Sequence, residues 1–201
     1  STWVGPLDFN TLCVAAPIPY LRDFDGTNWP PLCWDLTGGT QTVLQNSSDY
    51  MEGNYWSWSS GQFALATTEP ITISSDARVK YRWAHQFNTS YPNDQLIVMV
   101  RLANSTAWDT LVNHIGPSFN SPNTSPTVPP SDADFIQEAV NLDPSVYTGN
   151  DVIFRMVFNS GFGPDVYVDD FIVEALPSCP EPTSVTAVTV NAYDATLSWS
   201  N

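Results

Sequence analysis

Apolar residues in this chain recur at every second position, and no stretch keeps them at i, i+3, i+4 and i+7 over three turns. A period of two belongs to strands with one buried face, so helices are excluded as the main element. Arg78-Val-Lys-Tyr-Arg-Trp83 puts Val79, Tyr81 and Trp83 on one side. Gln95–Arg101 and Val152–Phe158 are nearly continuous apolar runs, the pattern of central strands. Phe63–Thr67 and Ile71–Ile73 bracket Pro70, Phe135–Leu142 alternates more loosely, and Val166–Val173 supplies a closing strand. Gly, Pro, Asn and Ser clusters separate these runs; the longest, 116–131, holds five prolines and must be a loop. Eight or so strands with long crossings predict an all-β fold of two packed antiparallel sheets, a jelly-roll sandwich.

Charge narrows the partners. Six Lys and Arg stand against 21 Asp and Glu, a net charge of −15. Such a chain repels a phosphate backbone, which excludes nucleic acid, and it repels an anionic bilayer. No apolar run reaches the ~20 residues of a membrane-spanning helix, so membrane insertion is not expected. Sparse charge (13%) with 13% aromatics suits a secreted or cell-surface β protein, and a 42% apolar share supplies a core. The three cysteines, Cys13, Cys33 and Cys179, lack the spacing of a CxxC redox or zinc motif. Cys13 with Cys33 is the preferred bridge, because both flank the first segment. Cys13 with Cys179 is the rival, and three free thiols are the plain alternative.

The two ends read differently from the middle. Val185-Thr-Ala-Val-Thr-Val190 and Ala195-Thr-Leu-Ser-Trp199 follow a Pro-rich entry at 180–182 and resemble the first strands of a fibronectin type III module. Residues 1–12 resemble the last strand of such a module. The expected division is therefore 1–12, 13–178 and 179–201, with partial fibronectin type III strands at both ends of a complete central domain.

That central domain resembles MAM-like jelly rolls of secreted Bacteroidetes proteins and the cleaved-adhesin modules of gingipain-type haemagglutinins. Pro19–Asp25 with Trp29–Trp34 resembles the family's opening. Ser60–Leu65 with Thr68–Ile71, then Asn93–Val98 and Trp108–Leu111, then Tyr147–Gly149 with Val152–Arg155, and finally Val168–Ile172, follow in the family's order over about 17–175. Leu102–Trp108 lacks the glycines that the family carries before its Trp, so that turn is built differently.

Two groups of residues are candidates for binding. Asp23 and Asp25, two apart, share a face if extended, with Phe24 pointing inward. Asp169 and Asp170 lie on the closing strand, which in such folds runs beside the opening one. The resemblance implies a structural Ca²⁺ there, held by Asp23, Asp25, Asp169 and Asp170; the alternative is that these aspartates cap turns. Asp49, Glu52, Asp94 and Asp165 are read as solvated loop residues. The second group is aromatic: Asn54, Tyr55, Trp56 and Trp58, with the two Trp on one face if the segment is extended, could stack on sugar rings or could cover the sandwich rim. Catalysis has little support. His85 and His114 stand apart without HExxH or GxSxG, and His85 reads as structural.

The reading is a non-catalytic extracellular module of a multi-domain protein, binding a glycan or a protein on a cell or matrix surface beside neighbouring modules of its own chain. A carbohydrate-binding module of a secreted hydrolase, and a repeating subunit of a surface fibre, are the alternatives.

Overall fold

A computed structural model describes residues 13–26, 28–46, 49–121, 131–178, 183–190 and 195–200. In chain order the strands are β1 (Ala16–Pro17), β2 (Tyr20–Arg22), β3 (Leu44–Asn46), β4 (Tyr50–Gly53), β5 (Phe63–Thr67), β6 (Ile71–Thr72) and β7 (Ala77–His85). They continue as β8 (Gln95–Leu102), β9 (Asp109–Ile115), β10 (Ile136–Asn141), β11 (Asp151–Asn159), β12 (Val166–Ala175), β13 (Thr183–Val190) and β14 (Ala195–Ser200). One sheet runs β1-β6-β11-β8-β9, with β5 continuing the β6 side of β11; the other runs β10-β7-β12-β4-β3, with β2 beside β12. All pairings are antiparallel except β1 with β6. This is the expected two-sheet sandwich. Among the described residues β13 and β14 pair only with each other; residues 1–12 and Cys179 lie outside them.

The core lies between the two sheets. Leu96, Val98 and Val100 of β8 and Val152, Phe154, Met156 and Phe158 of β11 face Val79, Tyr81 and Trp83 of β7 and Val166, Val168, Phe171 and Val173 of β12. Val166 and Val168 occupy even positions, Phe171 and Val173 odd ones. The switch is a β-bulge between Asp169 and Ile172, where Asp170 takes φ of 50°. The extra residue turns Asp169 and Asp170 to the same outer face, where strict alternation would have split them. Cys13 and Cys33 are joined by a disulfide with 5.8 Å between Cα atoms, tying the chain before β1 to the segment leading to Trp34. Trp34 Nε1 donates to Tyr20 Oη (2.7 Å), which donates to Glu69 (2.8 Å). Glu69 also takes Arg22 Nη2 (2.8 Å), so a buried carboxylate is fully partnered.

Candidate functional site

The bulge brings the acidic residues to one place. Arg82 of β7 pairs through Nη2 with Asp169 Oδ2 and through Nε with Asp170 Oδ2, both at 2.6 Å, and reaches Asp132 at 3.4 Å. A pocket of about 390 Å³ opens over this fork, lined by Asp25, Asp49, Tyr50, Asp132, Phe135, Asp169 and Asp170. Burial pushes Asp169 up to about 6, so it is still ionised at neutral pH beside Arg82. Asp25 is raised too, by desolvation and then by the charges of Asp23, Asp49 and Asp170.

Of the four aspartates read from the sequence, Asp25, Asp169 and Asp170 therefore share a pocket. Asp23 does not. The chain leaves β2 at Arg22, and Phe24 takes φ of 56° to bury its ring against Trp29 and Trp34. Asp23 Oδ1 accepts from Asp25 N at 3.3 Å, and its side chain faces a separate pocket with Asn28 and Pro31. The donors around Arg82 are hard oxygens of the kind calcium takes. Among the described residues, however, no group of three or more Asp, Glu, His or Cys side chains is spaced to close on one ion as folded. Arg82 occupies the centre as the resident cation.

The aromatic segment is rearranged relative to its extended reading. Asn54 Oδ1 accepts from Ser57 N (3.2 Å) and winds Tyr55–Ser57 into a 3-10 turn. A local Asn cap of this kind competes with a strand. Tyr55 is wholly buried, its hydroxyl donating to Gln95 O at 2.6 Å, and Trp58 is 5% exposed against it. Neither can join a surface platform, which corrects the expectation that Trp56 and Trp58 share an open face. Trp56 alone stays out, 48% exposed, and its partner is Phe162 of the β11–β12 loop, 43% exposed. Their rings are 12° from parallel with centroids 6.5 Å apart, and Tyr91 meets Phe162 edge-on at 5.5 Å.

Three acids expected in solvent, Glu52, Asp94 and Asp165, are in fact buried, and the last two hold the loops of this aromatic group. Asp165 Oδ1 accepts from Trp56 N at 2.9 Å. Asp94 Oδ1 accepts from Gly161 N (2.7 Å) and Gly163 N (3.2 Å). Any Cβ at Gly163 would collide with the Asp94 carboxylate, so only glycine permits this approach. The two carboxylates thus fix the loops that carry Trp56 and Phe162. His85 Nδ1 lies 3.2 Å from the carbonyl oxygen of Asp165, an acceptor, which assigns the ring proton to Nδ1. Nε2 is then a bare acceptor 3.7 Å from Asp94 Oδ2, and that oxygen has no hydrogen-bond partner. Burial pushes Asp94 and Asp165 up to about 6 and His85 down to about 4. His85 is therefore neutral at pH 7, stacked on Phe119 with centroids 4.2 Å apart. Nothing in sequence spacing links Asp94 to Gly161 and Gly163, and no local signal would have found the pairing.

No protein-family model and no curated protein matches this chain. Among solved structures it is similar to the K1 cleaved adhesin domain of Lys-gingipain from Porphyromonas gingivalis, with 12% identity and a TM-score of 0.52 over 79% of this chain and 99% of that one. The C-terminal family 22 carbohydrate-binding module of Clostridium thermocellum Xyn10B matches at 10% identity and a TM-score of 0.47, over 80% and 96% of the two chains. A family 6 module of Clostridium stercorarium in complex with cellobiose matches at 15% and 0.42, over 82% and 99%. The adhesin-domain likeness establishes the fold: this chain is a two-sheet jelly roll of the kind that cleaved adhesin domains adopt.

Proposed function

We propose that this chain is a non-catalytic extracellular interaction module of a multi-domain secreted or cell-surface bacterial protein. In this reading it is MAM-like, flanked by fibronectin type III segments, and it holds a glycan or protein on a cell or matrix surface. The observation that carries the reading is the Trp56–Phe162 pair. Two large aromatic side chains are left in solvent while the groups around them, Asp94 and Asp165, are buried to hold their loops still. Rigid, exposed aromatics are what a recognition surface is made of. The residues with the chemistry of proton transfer, His85 and His114, point into the core instead. Screening of immobilised glycans and matrix proteins should find a ligand whose binding falls at least about tenfold in Trp56→Ala and in Phe162→Ala, with thermal stability nearly unchanged. Binding that ignores both substitutions would refute the reading. A ligand confined to plant-type polysaccharides would favour the carbohydrate-binding module of a hydrolase.

Calcium enters as a proposal for the Arg82 pocket. Asp25 and Asp170 would meet the ion at its mouth, with main-chain and solvent oxygens completing its shell and Arg82 keeping Asp169. The support is charge: the aspartates outnumber the one arginine, and Asp25 is raised in part by its acidic neighbours. Calcium at a hundred times its dissociation constant should then stabilise the fold by about 2.7 kcal/mol over chelator. An unchanged melting temperature would remove the ion from the account.

A further inference from the structure

Of the six basic side chains, four are ion-paired. Arg22 pairs with Glu69, Arg78 and Lys80 with Glu174, and Arg82 with Asp169 and Asp170. The other two, Arg101 of β8 and Arg155 of β11, form no ion pair among the described residues. In a chain of net charge −15 these two are placed together, on the outer face of the first sheet. Their guanidinium carbons lie 5.0 Å and 4.2 Å from the ring centroid of Trp108. Burial lowers the pKa of Arg155, and the charge of Arg101 lowers it further, against a smaller opposing pull from Asp35.

The two arginines are engaged differently. Arg101 Nη1 donates to the carbonyl oxygens of Leu102, Ala103 and Ser105 and so closes the β8–β9 turn. Arg155 spends only Nε, which donates to Thr67 Oγ1 at 3.1 Å. Its Nη1 and Nη2 have no acceptor among the described residues. The carboxylate whose charge reaches it, Asp35, is bridged to Thr67 but forms no ion pair with Arg155, and its Oδ1 accepts from Thr37 N and Oγ1 (2.8 and 2.6 Å). A planar fork held by an aromatic ring, desolvated on one side and not paired with a carboxylate, is a bidentate receptor for one.

We propose that Arg155, Trp108 and Arg101 form a second binding site, taking a single carboxylate carried on a sugar ring of a glycan. The sheet favours a sugar over an acidic peptide. β8 is flanked by β11 and β9, and β11 by β8 on one side and by β5 and β6 on the other, so neither strand that carries an arginine offers a main-chain edge to an extended peptide, and the open edge of this sheet, on β9, lies beyond β8 from Arg155. What the face does offer beside the fork is the half-buried side chains of Met99 and Ile153, cross-strand neighbours of Arg155 and Arg101, a surface for the C–H face of a ring. The negative field of the remaining protein rejects a polyanion but costs one carboxylate little. The site is separate from Trp56 and stands or falls independently of it.

The test is calorimetric and NMR titration of the whole chain with a glucuronate-terminated disaccharide, its methyl ester, the matching neutral disaccharide and a glutamate-rich peptide. The acid is expected to bind and to shift the Trp108 indole resonance, while the ester and the neutral sugar do not. Arg155→Ala should lower affinity about tenfold or more, Arg155→Lys should lose most of it because the fork is gone, and Trp56→Ala should leave it unchanged. Equal binding of acid and ester, full affinity in Arg155→Lys, tighter binding of the peptide, or no shift at Trp108 would each overturn the proposal.

Discussion

Replacing Phe171 by Ala is expected to cost about 3–5 kcal/mol, close to the whole stability of a marginal domain. Phe171 is the first core residue after the bulge in β12, and it is fully buried. Its ring meets Tyr20 and Trp34 edge-on at 6.3 and 5.7 Å, and it crosses the sandwich to Phe154 at 5.6 Å. Removing it opens a cavity between the sheets and takes an aromatic neighbour from three other rings, each contact contributing about 0.5–1.5 kcal/mol beyond burial. It also loosens the β12 segment that follows Asp169 and Asp170, so the Arg82 pocket should lose order with it. Urea unfolding reads the loss as a lower midpoint with an unchanged slope. A cost below about 1 kcal/mol would show that the two sheets are not held together here.

Asp94→Asn is expected to stabilise the protein at pH 8, by about 2–3 kcal/mol. Asp94 is 3% exposed, and burial lifts it from 3.8 to about 6. A group raised in the fold contributes its stabilisation fully below the unfolded pKa and loses it as pH rises through the folded one. The wild type therefore carries an unfavourable buried charge above pH 6, facing the bare Nε2 of His85, with Asp165 (also raised to about 6) and Glu52 nearby and the hydroxyl of Tyr55 inside the same field. Asparagine keeps an oxygen for Gly161 N and Gly163 N and turns an N–H toward Nε2. Its advantage should shrink as pH falls from 6 and vanish below about 3.8, where the aspartate is neutral in both states. The histidines run the other way: His85 and His114, lowered to about 4, withdraw stability as pH falls from 6.5 toward 4. His114 is common to both proteins and cancels in the difference, whereas His85 faces residue 94 and is kept neutral by working above pH 6.5. A variant less stable than wild type at pH 8 would mean that His85 is charged and pairs with Asp94.

The strands that pack on both sides of the core were legible because their alternation is strong. Val79, Tyr81 and Trp83, and the runs in β8 and β11, fall where the period of two places them. β9 was not read as a strand, because Asp109–Ile115 is an edge strand whose side chains are mostly exposed or half-buried and carry no clear alternation. The aromatic segment was misread for a local reason, since Asn54 caps a 3-10 turn where an extended run was expected. The site residues were legible only as types. That Asp169 and Asp170 share a face depends on a bulge, and that they meet Arg82 depends on a sheet partner 87 residues away. Asp94 and Asp165 read as loop acids because nothing beside them in sequence announces Gly161, Gly163 or the Trp56 amide.

A sandwich that grips a partner and does no chemistry on it returns that partner unchanged. The direct measurement is to saturate the protein with the ligand that depends on Trp56, incubate to equilibrium, and weigh the released ligand by mass spectrometry. The same mass should be recovered in full, with Trp56→Ala retaining little ligand to release. A cleaved or modified ligand formed by the wild type, and absent from a no-protein control, would contradict it.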